Sequence, residues 1–189
     1  MRLYLGAILL GVLASAAATA RECHGIRFPD RLAIAGSELA LNGLGLRQAT
    51  IFKVNVYVAA LYVRQASSSA ADLLAEAPPK QLVMQFVRNV SANELRERFE
   101  EGLQKAAGAQ LPALKERIAM FDGWMVDVKS GDRMSLSWLP DHSVQLEFNG
   151  RVQGHIAGED FGRVLLRIWL GSQPPNPELK AGLLGGSCG

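Results

Sequence analysis

Ile51-Phe-Lys-Val-Asn-Val-Tyr-Val-Ala-Ala-Leu-Tyr-Val63 is the stretch that decides the fold. It is rich in β-branched and aromatic residues and holds no Gly or Pro, which predicts one long central strand. Successive strand side chains point to opposite faces. Phe52, Val54, Val56, Val58, Ala60 and Tyr62 then share an apolar face that reads as core. Lys53, Asn55, Tyr57, Ala59 and Leu61 share a mixed face, the composition of a wall lining a polar-mouthed cleft.

Downstream, Ser67 to Ala77 reads as a short helix stopped by Pro78-Pro79, and Lys80 to Arg88 returns to strand. Ser91-Ala-Asn-Glu94 is a capping box. Leu95, Phe99 and Leu103 then mark the buried stripe of a helix ending near Ala107, and a second helix spans Leu111 to Asp122. Strands follow at Trp124 to Lys129, Arg133 to Leu139 and Ser143 to Phe148. Asn149-Gly150 signals a two-residue hairpin into Arg151 to Ile156. A helix from Glu159 to Leu170, with the apolar stripe Phe161, Val164, Leu165, Ile168 and Trp169, has acids in its first turn and Gly171 past its end, and a last helix covers Glu178 to Leu184. Upstream, Ile26 to Leu46 is broken by Pro29, Gly36, Asn42, Gly43 and Gly45, so it reads as short strands and turns. Strands flanking a helical pair, with helices again at the end, give an α+β class: a mainly antiparallel sheet covered on one side.

The ends carry their own signals. Residues 1–20 hold Arg2, an apolar run from Leu3 to Leu13, and Ala18-Thr19-Ala20. That order reads as a cleavable signal peptide, too short and too soon diluted with Ala, Ser and Thr for a membrane anchor. A domain of residues 21–189 in the periplasm or outside the cell is the expectation. No later segment is apolar enough to span a bilayer. Twenty Lys and Arg against 18 Asp and Glu, with no basic block, argue against nucleic acid as a partner. Cys23 and Cys188 stand near opposite ends. Export permits a disulfide between them, and two free thiols on frayed ends is the other reading.

The search for reaction chemistry comes back nearly empty. Gly43-Leu-Gly45 leads into more strand, not into a helix as a nucleotide-binding turn would. His24, His142 and His155 are scattered and neither cysteine neighbours another, so no metal and no cofactor is expected. No G-x-S-x-G elbow occurs. One constellation remains: Arg47, Lys53 and Tyr57, amid apolar residues. A guanidinium can grip a carboxylate or phenolate through parallel hydrogen bonds, and a tyrosine hydroxyl can add another donor. The plainer reading leaves Arg47 at a strand edge in water and Tyr57 in the core. Arg47 and Tyr57 are ten positions apart, about 33 Å of unbroken strand. To meet one head group the chain must reverse between them, and Gln48-Ala49-Thr50 is the expected place.

Gly43-x-Gly45-Leu-Arg47, followed by Phe52-Lys53-Val-x-Val-Tyr57-Val-Ala-Ala-Leu-Tyr62-Val63, resembles the chalcone isomerase-like family, its exported bacterial branch above all. The likeness runs on through Phe86-Val87-Arg88, Gly131-Asp132, Phe148-Asn149-Gly150, Asp160-Phe161, Ile168-Trp169-Leu170-Gly171 and Leu183-Leu184-Gly185. The resemblance implies an open-faced β-sandwich, a large antiparallel sheet under helices with a cleft between them. Plant enzymes of the family close a chalcone to a flavanone, and non-enzymatic plastid relatives bind fatty acids. In both, the arginine matching Arg47 faces the cleft. The enzymes' polar residues on the central strand, the next helix and after the last helix fall at Tyr57, Leu95, Gly102 and Leu179 here. A cyclase that must hold a polarised ketone and a phenolate loses most of its donors that way. The resulting expectation is non-catalytic binding of a fatty acid or similar amphipathic carboxylate, with Arg47, Tyr57 and Lys53 at its head group. The alternatives are a chalcone isomerase-like intramolecular lyase, and a structural module without ligand.

Overall fold

In the computed structural model, residues 19–188 are described; most of the expected signal peptide lies outside them. Two short strands, β1 (Ala20–Cys23) and β2 (Ile26–Pro29), pair as a hairpin. The main sheet then runs in strict chain order: β3 (Arg31–Ile34), β4 (Ser37–Ala49), β5 (Val54–Val63), β6 (Lys80–Phe86), β7 (Arg133–Trp138), β8 (Val144–Phe148) and β9 (Arg151–Ile156). Every pairing is antiparallel. Among the described residues five α-helices interrupt or follow: α1 (Ala70–Ala75), α2 (Ala92–Ala107), α3 (Leu111–Asp122), α4 (Glu159–Leu170) and α5 (Pro177–Leu183).

The class is α+β, a curled antiparallel sheet with helices. One face of the sheet and the helices share a core that includes Ala59, Leu82, Met84, Leu103, Phe161 and Trp169. On the other face a smaller core forms under the β1–β2 hairpin, with Phe28 against Leu44, Leu46, Val58 and Tyr62. The local signals that set the helices act as read. Ser91 caps α2, its hydroxyl accepting from the Glu94 backbone N–H at 3.1 Å. Asn149 and Gly150 turn β8 into β9 with φ of 48° and 81°, the two positive values that a type I′ hairpin requires. Lys80 is buried where a strand lysine is not expected. Its ammonium donates to the carbonyls of Leu73 and Glu76 at 2.5 and 2.7 Å, closing the end of α1, and burial pushes its pKa down to about 8.

Three readings need correction. The central strand starts at Val54, not Ile51: residues 50–53 form a turn in which Thr50 and Lys53 take φ of 63° and 51°. Ile51 and Phe52 stand on it 90% and 81% exposed, outside any core. Secondly, the glycines of β4 do not break the strand. α5 lies with its backbone directly on the backbone of β4: a methyl on Gly43 would overlap the Gly182 carbonyl, one on Gly45 that of Leu179, and one on Gly182 that of Leu44. Glycine is there because no side chain fits between strand and helix. Asn42 locks the same seam, donating to the Leu183 carbonyl at 2.7 Å. Thirdly, Trp124 to Lys129 is no strand; Val128 alone bridges to Val90.

Cys23 and Cys188 are joined, their Cα atoms 5.9 Å apart across 165 residues of chain. The tail beyond α5 is thereby tied to the hairpin on the opposite face. The α5 seam is the tightest contact of helix with sheet, so Gly182→Ala is expected to destabilise the domain by at least about 1–3 kcal/mol through overpacking. A thermal melt beside the parent protein reads this; an unchanged midpoint would mean that α5 is not seated on β4.

Candidate functional site

The β4–β5 hairpin puts Arg47 directly opposite Tyr57. Opposed residues in an antiparallel pair have Cβ atoms about 4.5–5.5 Å apart, so a separation of about 33 Å in extended chain collapses to one cross-strand step. The reversal falls at Thr50–Lys53, just beyond the expected Gln48–Thr50. Tyr57 opposes Phe86 in turn, their rings edge to face at 5.7 Å. Arg47, Tyr57 and Phe86 therefore form one row across the helix-side face of three strands. The register slips between Arg47 and Gln48, leaving Val56 without a partner. This bulge breaks the alternation read from sequence, because an extra residue turns the strand locally. Val56 joins Tyr57 on the cleft side, while Val58, Ala60 and Tyr62 fill the opposite core.

Above this row lies a cleft of about 170 Å³. Met84 and Phe86 continue its floor, α2 brings Leu95, Phe99 and Gly102, and α4 brings Ile168 and Trp169. Gly102 lets the two helices close over it: a methyl there would press on the Ile168 side chain at 3.0 Å. Pro174 and Pro175, in the approach to α5, wall the side that holds Arg47. Asn176 fixes that approach, accepting from the Gln48 N–H and donating to the Leu46 carbonyl at 3.3 Å each. Arg98, Glu101 and Lys105 edge the cleft from α2, with Glu101 bridged to both cations at 3.1 and 2.6 Å. A larger hollow of about 470 Å³ lies on the other face beside Phe28 and Tyr62, but polar groups such as Gln81, Arg133, Ser135, Glu147 and Asn149 line much of it. The helix-side cleft is the one that brings Arg47 and Tyr57 together beneath α2 and α4.

The polar end of the cleft is organised by a residue that sequence reasoning placed only in the apolar stripe of α4. The indole Nε1–H of Trp169 donates to the Tyr57 hydroxyl oxygen at 3.0 Å. The indole is itself held edge to face by Phe99, centroids 6.0 Å apart. Burial raises the Tyr57 phenol above its ordinary pKa, against the smaller opposing pulls of the Trp169 hydrogen bond and the Arg47 charge. Tyr57 is thus a neutral donor, one lone pair occupied by Trp169 and its hydrogen available to an acceptor in the cleft. Arg47 is half-buried and gives one N–H to the Gln48 carbonyl. The others of its fork are left for a ligand oxygen. Lys53 is elsewhere, exposed on the turn and not among the residues that line the cleft. Leu95 and Gly102, where the plant enzymes carry polar groups, do line it and bring no donor. Among the described residues no three His, Cys, Asp or Glu side chains converge into a metal site. No helix among them is long and apolar enough to cross a membrane.

A family model described as chalcone isomerase-like matches residues 20–185. No curated protein matches the chain. Among solved structures, an Arabidopsis thaliana fatty-acid binding protein is similar in fold, with a TM-score of 0.67. It is 17% identical in sequence, over 89% of this chain and 96% of that one.

Trp169→Phe keeps an aromatic ring, though a smaller one, and removes the donor to Tyr57. It is expected to move the Tyr57 titration, read by ultraviolet absorbance, further upward, since the lost hydrogen bond favoured the phenolate. It should also cost more stability than the about 0.5–1.5 kcal/mol of the hydrogen bond alone, since the smaller ring leaves a cavity in the core. An unmoved titration would mean that the indole does not set the phenol.

Proposed function

Since the chain belongs to the chalcone isomerase-like family, we propose that its helix-side cleft binds a fatty acid or similar amphipathic carboxylate and does not turn it over. The observation that carries this reading is the cross-strand pair: a half-buried guanidinium and a neutral phenol side by side at the head of an apolar cleft. A carboxylate needs donors on its oxygens and compensation for its charge when it leaves water, and Arg47 with Tyr57 offers both. The methylene tail needs only dry walls, which Val56, Met84, Phe86, Leu95, Phe99 and Ile168 offer. Lys53 has no place in this head-group contact. The similar fold of a protein named for fatty-acid binding agrees with the reading. Addition of a phenolate to an enone would ask for several donors aimed at developing charge; Leu95 and Gly102 bring none. An exported, periplasmic or extracellular place of action, read from residues 1–20, belongs to the same proposal.

Titration of a fatty acid into the delipidated protein tests it. Arg47→Ala is expected to weaken binding by about 1.5–3 kcal/mol, the worth of a charged hydrogen-bonded contact, and Tyr57→Phe by about 0.5–1.5 kcal/mol. A 2′-hydroxychalcone should close no faster with the protein than without it. Equal affinity of parent and Arg47→Ala would remove the guanidinium from the site, and chalcone closure above the spontaneous rate would favour the lyase.

A further inference from the structure

The turn that joins the Arg47 strand to the Tyr57 strand is apolar and exposed at its tip, and that combination has a use. Ile51 and Phe52 are the two most exposed large apolar side chains among the described residues, and Val54 beside them is 41% exposed. Single exposed apolar residues are ordinary on a protein surface, but neighbouring ones at the apex of a projecting turn mark a contact site. We propose that this tip is a prong that docks onto the surface of a lipid bilayer.

Four features favour lipid over a protein partner. Much of the tip's backbone is satisfied within the hairpin: Lys53 N–H donates to the Thr50 carbonyl at 3.2 Å, Phe52 N–H to the Thr50 hydroxyl at 3.3 Å, and the Lys53 carbonyl accepts from Gln48 Nε2 at 3.3 Å. Backbone groups paired in this way can enter an interface of low polarity at little cost. The side chains are of the two kinds that insert, a branched aliphatic and an aromatic, with no acid between Gln48 and Asn55. Lys53 flanks them, placed to keep its ammonium among head groups while its stem lies along the apolar layer. Glu178 is the acid that feels its charge. Finally, the prong adjoins the cleft: Ala49 and Val56, just below the turn on either strand, both line it. A bilayer is also where a free amphipathic carboxylate resides. That delivery role rests on the function proposed for the cleft, whereas the docking rests on the tip alone. Two side chains give weak, reversible attachment, less than a single acyl chain gives, which suits a carrier that must leave again.

The test is co-sedimentation of the purified protein with phosphatidylcholine vesicles, with and without phosphatidylglycerol, for the parent and for Ile51→Ser/Phe52→Ser. The parent should partition onto the vesicles, more strongly onto the anionic ones, and the double variant should lose about tenfold or more of that partition. Fatty-acid affinity in vesicle-free buffer should be equal for the two proteins. Transfer of a fluorescent fatty acid from vesicles to protein should slow in the variant. Failure of the parent to bind vesicles, or equal binding by the variant, would overturn the docking while leaving the cleft's ligand untouched. Sedimentation velocity closes the remaining route: if the parent self-associates and the double variant does not, the tip is a contact between copies and the proposal is wrong.

Discussion

The pairing of β4 with β5 carries the rest of the molecule. It places Arg47 against Tyr57, and its upper half, Gly43 and Gly45, gives α5 a bare strand on which to lie. Both effects come from one face of one strand. Two glycines hold the helix at backbone contact, and the next residue on that face, Arg47, emerges beside the Pro174-Pro175 wall that leads into the helix. A strand with side chains at 43 and 45 would lift α5 and open that wall. The tie from Cys188 to Cys23 then holds the segment beyond α5 to the hairpin on the far face. Cleft, seam and disulfide are thus parts of one mechanical unit.

What was legible in the sequence is what short-range physics decides. The Ser91 cap, the Asn149-Gly150 turn and the buried stripe of α4 each depend on a few neighbouring residues, and they stand where their spacing put them. The need for a reversal between Arg47 and Tyr57 was legible too, because strand length forbids any other way for them to meet. The errors sit where distant chain overrides local preference. Gly43 and Gly45 read as breakers, since nothing in residues 40–50 announces a helix some 140 positions later that requires them. Ile51 and Phe52 read as strand, and Phe52 as core, because β-branched and aromatic residues usually are. The turn has to fall somewhere, and here it falls under those two. The bulge at Val56 has no local mark, yet it brings two consecutive side chains to the cleft.

Trp169 shows the same limit at the site. In a stripe with Phe161, Val164, Leu165 and Ile168 it reads as one more apolar residue of α4. Only the fold reveals that its N–H ends on the Tyr57 oxygen. That bond gives the cleft its polarity in a usable direction: one lone pair of Tyr57 is occupied, donor capacity is kept, and burial holds the phenol neutral. A site so arranged offers N–H and O–H groups at one end and hydrocarbon along the walls. That arrangement fits the ligand proposed for the cleft, an anionic oxygen on a greasy body.

The central claim is that a carboxylate sits ionised against Arg47 and Tyr57. It is tested most directly by carbon-13 NMR of a fatty acid labelled at its carboxyl carbon, bound to the protein and titrated with acid. A free carboxyl takes its proton at about pH 4–5. Held by a guanidinium and a phenol donor, it should keep its charge to distinctly lower pH. A bound signal that titrates at the free value, or above it as a carboxyl buried in hydrocarbon alone would, contradicts the account.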